Sequence, residues 1–538
     1  MKKYILRIIA LILCAAMLSG CDLETVREEM WNYLYRQSVP DVTRFEDMVY
    51  NRPDMEALEQ SITDACETAA GENLEEIVDA IYAFYDVYDA FYTNYMLADI
   101  HYCHDLTDAY WEEEYNFCAE NSGTVDAALE ELYYALEKSP CRAELESEEY
   151  FGEGYFDSYE GENHWDEEFV ALLTQESELQ SKYYELTSLG QQYDDTTEEF
   201  YTQCGNEMME LLVELIALRQ EIAAYVGYES YADFAWDYYH SRDYTPAQTR
   251  VYVDRIRDEL VPLYRQAAGE SYWDAFDRCT SAQTFDYART MARNMGGTVE
   301  EAFELLEAGA LYDIAPGANK YESSFEVYLD TYWQPFIFMN PTNCTYDHLT
   351  FAHEFGHFCN DYAAYGSYAG TDVSEFFSQG MEYLSLCYGE ASDHLTKMKM
   401  ADSLCMYVEQ AAYADFEMRM YDIPVEELTV DALLALYKEV GTGYGFDSFG
   451  YDPREFVTVN HYFTNPLYIM SYVVSNDAAM QLYQLEQENP GQGLAKFEEN
   501  LTTEEYYFLS FLDAAGLQSP FAEGRLQEVR ATFEEILG

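Results

Sequence analysis

The sequence predicts a mostly α-helical protein with a small β-sheet beside one central helix. Three observations carry that reading. From residue 22 to about 310, apolar side chains recur at helical spacing; in Leu74–Tyr92, for example, Ile77, Ile81, Phe84, Val87, Tyr88 and Phe91 form one stripe. Phe325, Val327 and Leu329 then alternate with Glu326, Tyr328 and Asp330, the period of a strand. Beyond residue 345, helical patterns return.

Taken in order, breaks between helices are expected at Gly71-Glu72-Asn73, Asn121-Ser122-Gly123, Ser139-Pro140, Gly161-Glu162-Asn163 and Gly296-Gly297. After the first strand, Trp333–Met339 reads as a second. Pro335 has no N–H to give a ladder and places that strand at a sheet edge. Thr345 or Asp347 caps a helix that runs towards Tyr362, with Gly366 beyond its end, and a further helix covers about 372–390. Gly441-Thr442-Gly443-Tyr444-Gly445 reads as a mobile loop before the last helices. It lacks the Gly-Lys-Ser/Thr ending and the strand–turn–helix setting of a phosphate loop. The 53 tyrosines read mostly as core, ring inward and hydroxyl towards water or a partner.

The net charge of −74 argues against a nucleic-acid partner, since phosphates need Lys and Arg to neutralise them. A surface of one sign favours a soluble monomer and attracts cationic peptides over acidic ones. At the N-terminus, Met1-Lys2-Lys3 and Arg7 precede a short apolar run, Ile8–Leu18, which is too short to span a bilayer. It ends in Leu18-Ser19-Gly20-Cys21, which resembles a bacterial lipobox. That resemblance implies cleavage before Cys21, a lipid on its sulfur, and a mature protein tethered outside the cytoplasm at the cell surface or cell membrane. Ten cysteines remain after Cys21, with no CxxC pair and no framework spacing.

The chemistry gathers in the run His353-Glu354-Phe355-Gly356-His357. Histidines four apart on a helix share one face and can hold a tetrahedral zinc ion, one per chain. Glu354 follows the first ligand and points beside the metal, where a carboxylate can take a proton from the attacking water and hand it to the leaving amine. A catalytic zinc needs a third protein ligand from another element. Glu375, on the following helix, is the first choice and Glu382 its rival. Asp372 and Glu382 lie one and two turns from Glu375, where carboxylates can orient the histidines.

Around this run the residues resemble the thimet oligopeptidase and oligoendopeptidase F family. The resemblance rests on Pro335–Asn340, the HEFGH run, Gly370-Thr371-Asp372 and the stretch from Glu375 to Glu382. Tyr231–Ala235 with Arg242–Pro246, and His461-Tyr462-Phe463 with Pro466-Leu467-Tyr468 and Tyr472, extend it over most of residues 150–520. The resemblance implies a two-lobed helical fold with a deep channel and cleavage of short unfolded oligopeptides by one zinc ion. It also implies Glu375 as third ligand, and His461 and Tyr468, with Tyr472 as a third member, as groups that bond the substrate and the developing oxyanion. Many relatives carry a further histidine where this chain has Asn360.

The expected organisation is a leader at 1–21, a helical lobe at 22–310 and a zinc-peptidase lobe at 311–538, continuous with the first. The edge strand before the zinc helix would pair with an extended peptide. Two alternatives stand beside this reading. One is a dipeptidyl carboxypeptidase of related fold, which needs a group to capture the substrate carboxylate. The other is a lipid-anchored peptide-binding relative without turnover, which leaves Glu354 between two histidines unexplained.

Overall fold

The computed structural model describes residues 41–538, apart from short stretches at 148–149, 153, 160–166, 191, 268–276, 367–368, 449 and 504. The leader and Cys21 lie outside the described residues, as does the break expected at 161–163.

Helices of eight or more residues are α1 (Met55–Ala69), α2 (Leu74–His104), α3 (Ala109–Glu137), α4 (Glu167–Gly190), α5 (Asn206–Tyr225), α6 (Tyr231–Tyr238), α7 (Pro246–Ala267), α8 (Ser281–Met295) and α9 (Gly297–Gly309). Three strands follow, β1 (Tyr312–Asp313), β2 (Ser324–Leu329) and β3 (Gln334–Met339). The second half is α10 (Asp347–Ala364), α11 (Thr371–Tyr388), α12 (Asp393–Met420), α13 (Val430–Tyr444), α14 (Met470–Glu488), α15 (Gln492–Asn500), α16 (Phe508–Ala515) and α17 (Arg525–Leu537). Among the described residues no helix is long and apolar enough to cross a membrane, and all ten described cysteines are free.

Buried apolar residues form two clusters. A small one gathers α1–α3 and the chain to Phe156, around Leu58, Ile77, Phe84, Phe91 and Leu132. A large one runs from Leu97 to Phe533 and takes in α4–α9, the sheet and every later helix. The two clusters meet within α2, whose Ile77, Ile81, Phe84 and Phe91 lie in the small one and whose Leu97, Ile100 and Cys103 lie in the large one, while the change of texture in the sequence falls at the strands.

The sheet has the order β1-β3-β2, with β1 parallel and β2 antiparallel to β3. The edge strand on the side of the zinc-type helix is thus β2, and β3, which carries Pro335, is central. β1 meets β3 only at Ile337 and Phe338, so at Pro335 the strand has a neighbour on one side alone and tolerates the missing donor.

Three local expectations give way. Asn121-Ser122-Gly123 does not break α3. Asn121 Nδ2 donates to Phe117 O at 2.7 Å and Ser122 Oγ to Ala119 O at 3.0 Å, so their polar groups are met inside the helix. Gly441 and Gly443 are helical, not loop: the Tyr451 ring packs where a Cβ on Gly441 would stand, and only Gly445, at φ +91°, ends α13. Asp347 does not cap α10. It is the first helical residue, and its carboxylate accepts from the N–H groups of Thr342 and Asn343 at 3.0 and 2.8 Å, fastening the preceding loop.

Candidate metal centre

Helices α10 and α11 pack together with Gly356 at the point of contact. A Cβ on Gly356 would overlap the Phe377 carbonyl oxygen and lie 2.6 Å from Ser378 Cα. Only glycine lets the helices approach so closely. That approach brings His353 and His357 against Glu375, and one ligand atom from each of the three lies within 4.8 Å of the others.

The histidines are oriented from behind. His353 Nδ1 lies 2.9 Å from Glu382 Oε1, and its Nε2 lies 3.6 Å from Glu375 Oε2. His357 Nδ1 lies 3.1 Å from Ser374 Oγ. Ser378 Oγ donates to Glu375 Oε2 at 2.9 Å, and the Tyr468 hydroxyl donates to Oε1 at 3.5 Å. The other oxygen of Glu382 meets the buried Lys399 ammonium at 2.8 Å. Two imidazoles and a carboxylate with their outer atoms engaged are a donor set that suits zinc.

Burial and neighbouring charges pull the titrations of these groups apart. Burial pulls the His353 imidazole down, but the Glu382 hydrogen bond and the charges of Glu375 and Glu354 outweigh it and lift it to about 9. Burial, and then the neighbouring His353, hold His357 down at about 3. Burial raises the Glu354 carboxyl above its ordinary range. For Glu382 burial acts the same way, yet Lys399 and His353 win and hold it low. Glu354 Oε1 accepts from Ser324 Oγ on β2 at 2.8 Å, so the edge strand touches the candidate base.

The opposite wall comes from the short helix His461–Thr464, the turn after it and the start of α14. The rings of His461, Tyr468 and Tyr472 cluster with centroids 5.2–5.8 Å apart, and the Tyr472 hydroxyl lies 3.4 Å from His461 Nε2. Burial lowers the His461 imidazole, and burial with the Glu375 charge pushes Tyr472 up to about 12.

The chain compares with known proteins as follows. Residues 45–165 match the Peptidase M3 N-terminal domain family. One solved structure, named an oligoendopeptidase F, superposes with a TM-score of 0.77 at 21% identity, covering 92% of this chain and 98% of its own. The fold is that of oligoendopeptidase F. A second such structure, from Bacillus anthracis str. Ames, gives 0.76 at 21% identity over 93% and 98% of the two chains. PZ peptidase A with an inhibitor gives 0.77 at 20% identity over 92% and 99%. No curated protein matches the sequence.

On the oligoendopeptidase F fold the predicted site residues sort as follows. His353, His357 and Glu375 converge. Glu382 stands behind His353, with both oxygens engaged, and is not placed as a competing ligand. Asp372 touches neither histidine. Its Oδ2 accepts from the Tyr244 hydroxyl at 2.8 Å and faces Arg242 Nε at 3.6 Å, because it begins α11 on the side where that buried arginine lies. Asn360 points away from the site, donating to Leu501 O at 2.8 Å, so no substrate contact follows from it. Sequence reasoning missed Ser324, Ser374 and Lys399. Ser374 adjoins Glu375 and had a local signal; Lys399, on α12, and Ser324, on β2, had none.

Proposed function

We propose that this protein is a zinc-dependent endopeptidase that hydrolyses short unfolded oligopeptides outside the cytoplasm. The single observation that carries the reading is the convergence of His353, His357 and Glu375 with Glu354 at their side and Tyr468 opposite. The family match at 45–165 and the fold neighbours support a peptidase. The lipobox-like Leu18–Cys21 supports export and a tether, and the charge supports a monomer without nucleic-acid partners.

When bound, zinc supplies a Lewis acid that makes water nucleophilic near neutral pH. His353, His357 and Glu375 would hold it. Glu354, hydrogen-bonded to Ser324 and lifted by burial, takes the proton of the attacking water and returns it to the leaving amine. Tyr468 and His461, with Tyr472, face the carbonyl oxygen and stabilise its developing charge. The free edge of β2 offers N–H and C=O groups to an extended peptide.

Beside β2 lies a cleft of about 1150 Å³ lined by Ser323–Phe325 and Val327, with Asp99, Tyr102 and Tyr115 facing them. Among the described residues the one cation lining it, Lys320, gives its ammonium to Asp313 and to the carbonyls of Asp313, Ala315 and Met339. The described lining therefore offers no uncommitted cation to a substrate's C-terminal carboxylate, which favours internal cleavage over the dipeptidyl carboxypeptidase alternative. The acidic walls suit cationic side chains.

The test is cleavage of a quenched fluorescent peptide. Chelation should abolish turnover, and Glu354→Gln should lose roughly a hundredfold to ten-thousandfold in kcat with zinc retained. Chelator-insensitive cleavage, or an active Glu354→Gln, would overturn the mechanism.

A further inference from the structure

We propose that Arg242 is the positioning residue for Tyr468: its buried guanidinium ties the turn carrying that phenol to the first turn of the ligand helix α11. The proposal rests on the peptidase reading and deepens it.

Arg242 follows α6, and its side chain is 1% exposed. Nη1 donates to Leu467 O at 2.9 Å, and Nη2 donates to Tyr468 O at 3.3 Å and Ser471 Oγ at 2.8 Å. Nε faces Asp372 Oδ2 at 3.6 Å, and the plane stacks 4.4 Å from the Trp236 ring. Asp372 lies three residues before Glu375. One rigid fork therefore touches both the helix that carries the third ligand and the backbone of the residue whose hydroxyl reaches that ligand.

The turn needs this support. Leu467 sits at φ +63°, a left-handed conformation costly for a branched side chain. Such a residue persists only where its surroundings over-determine it. Here its N–H donates to Glu417 Oε1 at 2.7 Å and its C=O accepts from Arg242. The preceding Pro466 O lies 2.8 Å from His240 Nε2. Relaxing the turn would swing the next residue, Tyr468, and its hydroxyl is only 3.5 Å from Glu375 Oε1. A displacement of about 1 Å at a reacting group can cost about a hundredfold.

Lysine keeps the charge at this position but cannot span three acceptors from one plane. The experiment compares Arg242→Lys, Tyr468→Phe and the double variant, together with Ser471→Ala, which removes one acceptor and leaves the guanidinium in place. For Arg242→Lys we expect kcat to fall about thirtyfold to a hundredfold with KM within about threefold, and zinc content to be retained. The double variant should be no slower than Tyr468→Phe alone by more than about twofold. Ser471→Ala should lose a few-fold in kcat.

A second readout uses a peptide phosphinate, a tetrahedral mimic, by calorimetry. Arg242→Lys and Tyr468→Phe should weaken its binding to similar degrees and without additivity. Losses that multiply in the double variant, or a fall in kcat matched by loss of zinc, overturn the assignment of Arg242. A wild type that neither cleaves peptides nor binds the phosphinate overturns the peptidase reading itself, and the assignment with it.

Discussion

The two walls of the site are built by opposite means. On the metal side, His353, His357, Glu375, Glu382 and Lys399 all come from three consecutive helices, and side chain meets side chain. On the facing side, the turn from Tyr462 to Tyr468 is held by its backbone. Arg219 donates to the carbonyls of Tyr462 and Phe463 at 2.6 and 2.5 Å, and Arg242 to those of Leu467 and Tyr468, from more than 200 residues earlier in the chain. Local spacing specifies the first wall. Long-range capture of carbonyl groups specifies the second, so a lesion there should alter geometry without touching the ligands.

The largest expected effect breaks the first wall from behind. Lys399→Met leaves Glu382 buried with His353 as its remaining partner. Metal affinity should fall about tenfold to a hundredfold, and stability by about 3–5 kcal/mol, the usual result of stranding a buried charge. Competition with a chromogenic chelator measures the first and urea unfolding the second. Unchanged metal affinity would show that Lys399 is not needed to hold Glu382 against His353.

Next come two glycines in helices. Gly356→Ala forces a methyl group into the backbone of α11 and should cost about 1–3 kcal/mol, with a matching loss of zinc content. Gly123→Ala places the same methyl group in open space within α3 and should stabilise by roughly 0.5–1 kcal/mol. Denaturant midpoints of both variants decide whether the close approach of α10 and α11, and not helix propensity, explains Gly356.

This contrast also explains what was legible in the sequence. The zinc-type helix, its partner helix and the alternating strand were all readable, because i,i+4 and i,i+2 spacing survive in a linear text. The position of Pro335 misled, since its edge character depends on how short β1 is, and that belongs to a partner strand. The break expected at Asn121–Gly123 failed locally, since the polar side chains bond back within α3, and the loop expected at Gly441–Gly445 failed for a reason like that of Pro335. In the second case what decides is a Tyr451 ring ten residues on, not the glycines. Asp372 was chosen by its helical face, yet the pull of Arg242 and Tyr244 from distant segments turned it away. Glu417 and Arg219 carry no local signal at all.

Glu417 gives a pH test of the second wall. Burial holds its carboxyl up at about 8, against the opposing pull of the Leu467 N–H, Arg219 and Arg242. The folded chain therefore keeps a proton that the unfolded chain sheds near 4.5, so this group's contribution to stability falls as pH rises between those values. The slope is at most about 1.4 kcal/mol per pH unit. Glu417→Gln, neutral and of the same shape, should flatten that part of the profile in urea midpoints taken from pH 5 to 8. An identical slope in the variant would mean that Glu417 is already ionised.

The smallest effect concerns the cleft that neither wall builds. Asp99, on α2, is half-buried, and among the described residues its Oδ1 accepts a weak bond from Cys103 Sγ at 3.4 Å. It faces β2 across the space where a peptide paired with the strand edge would send every second side chain. A partly solvated carboxylate contributes about 1 kcal/mol to holding a cation. Asp99→Asn should therefore lower the preference for Lys over Gln at the seated position by roughly threefold to tenfold, measured as a ratio of kcat/KM values on paired peptides. If the ratio is unchanged, selection of cationic peptides comes from the overall charge of −74 acting at a distance, and added salt should then erase the preference equally in wild type and variant.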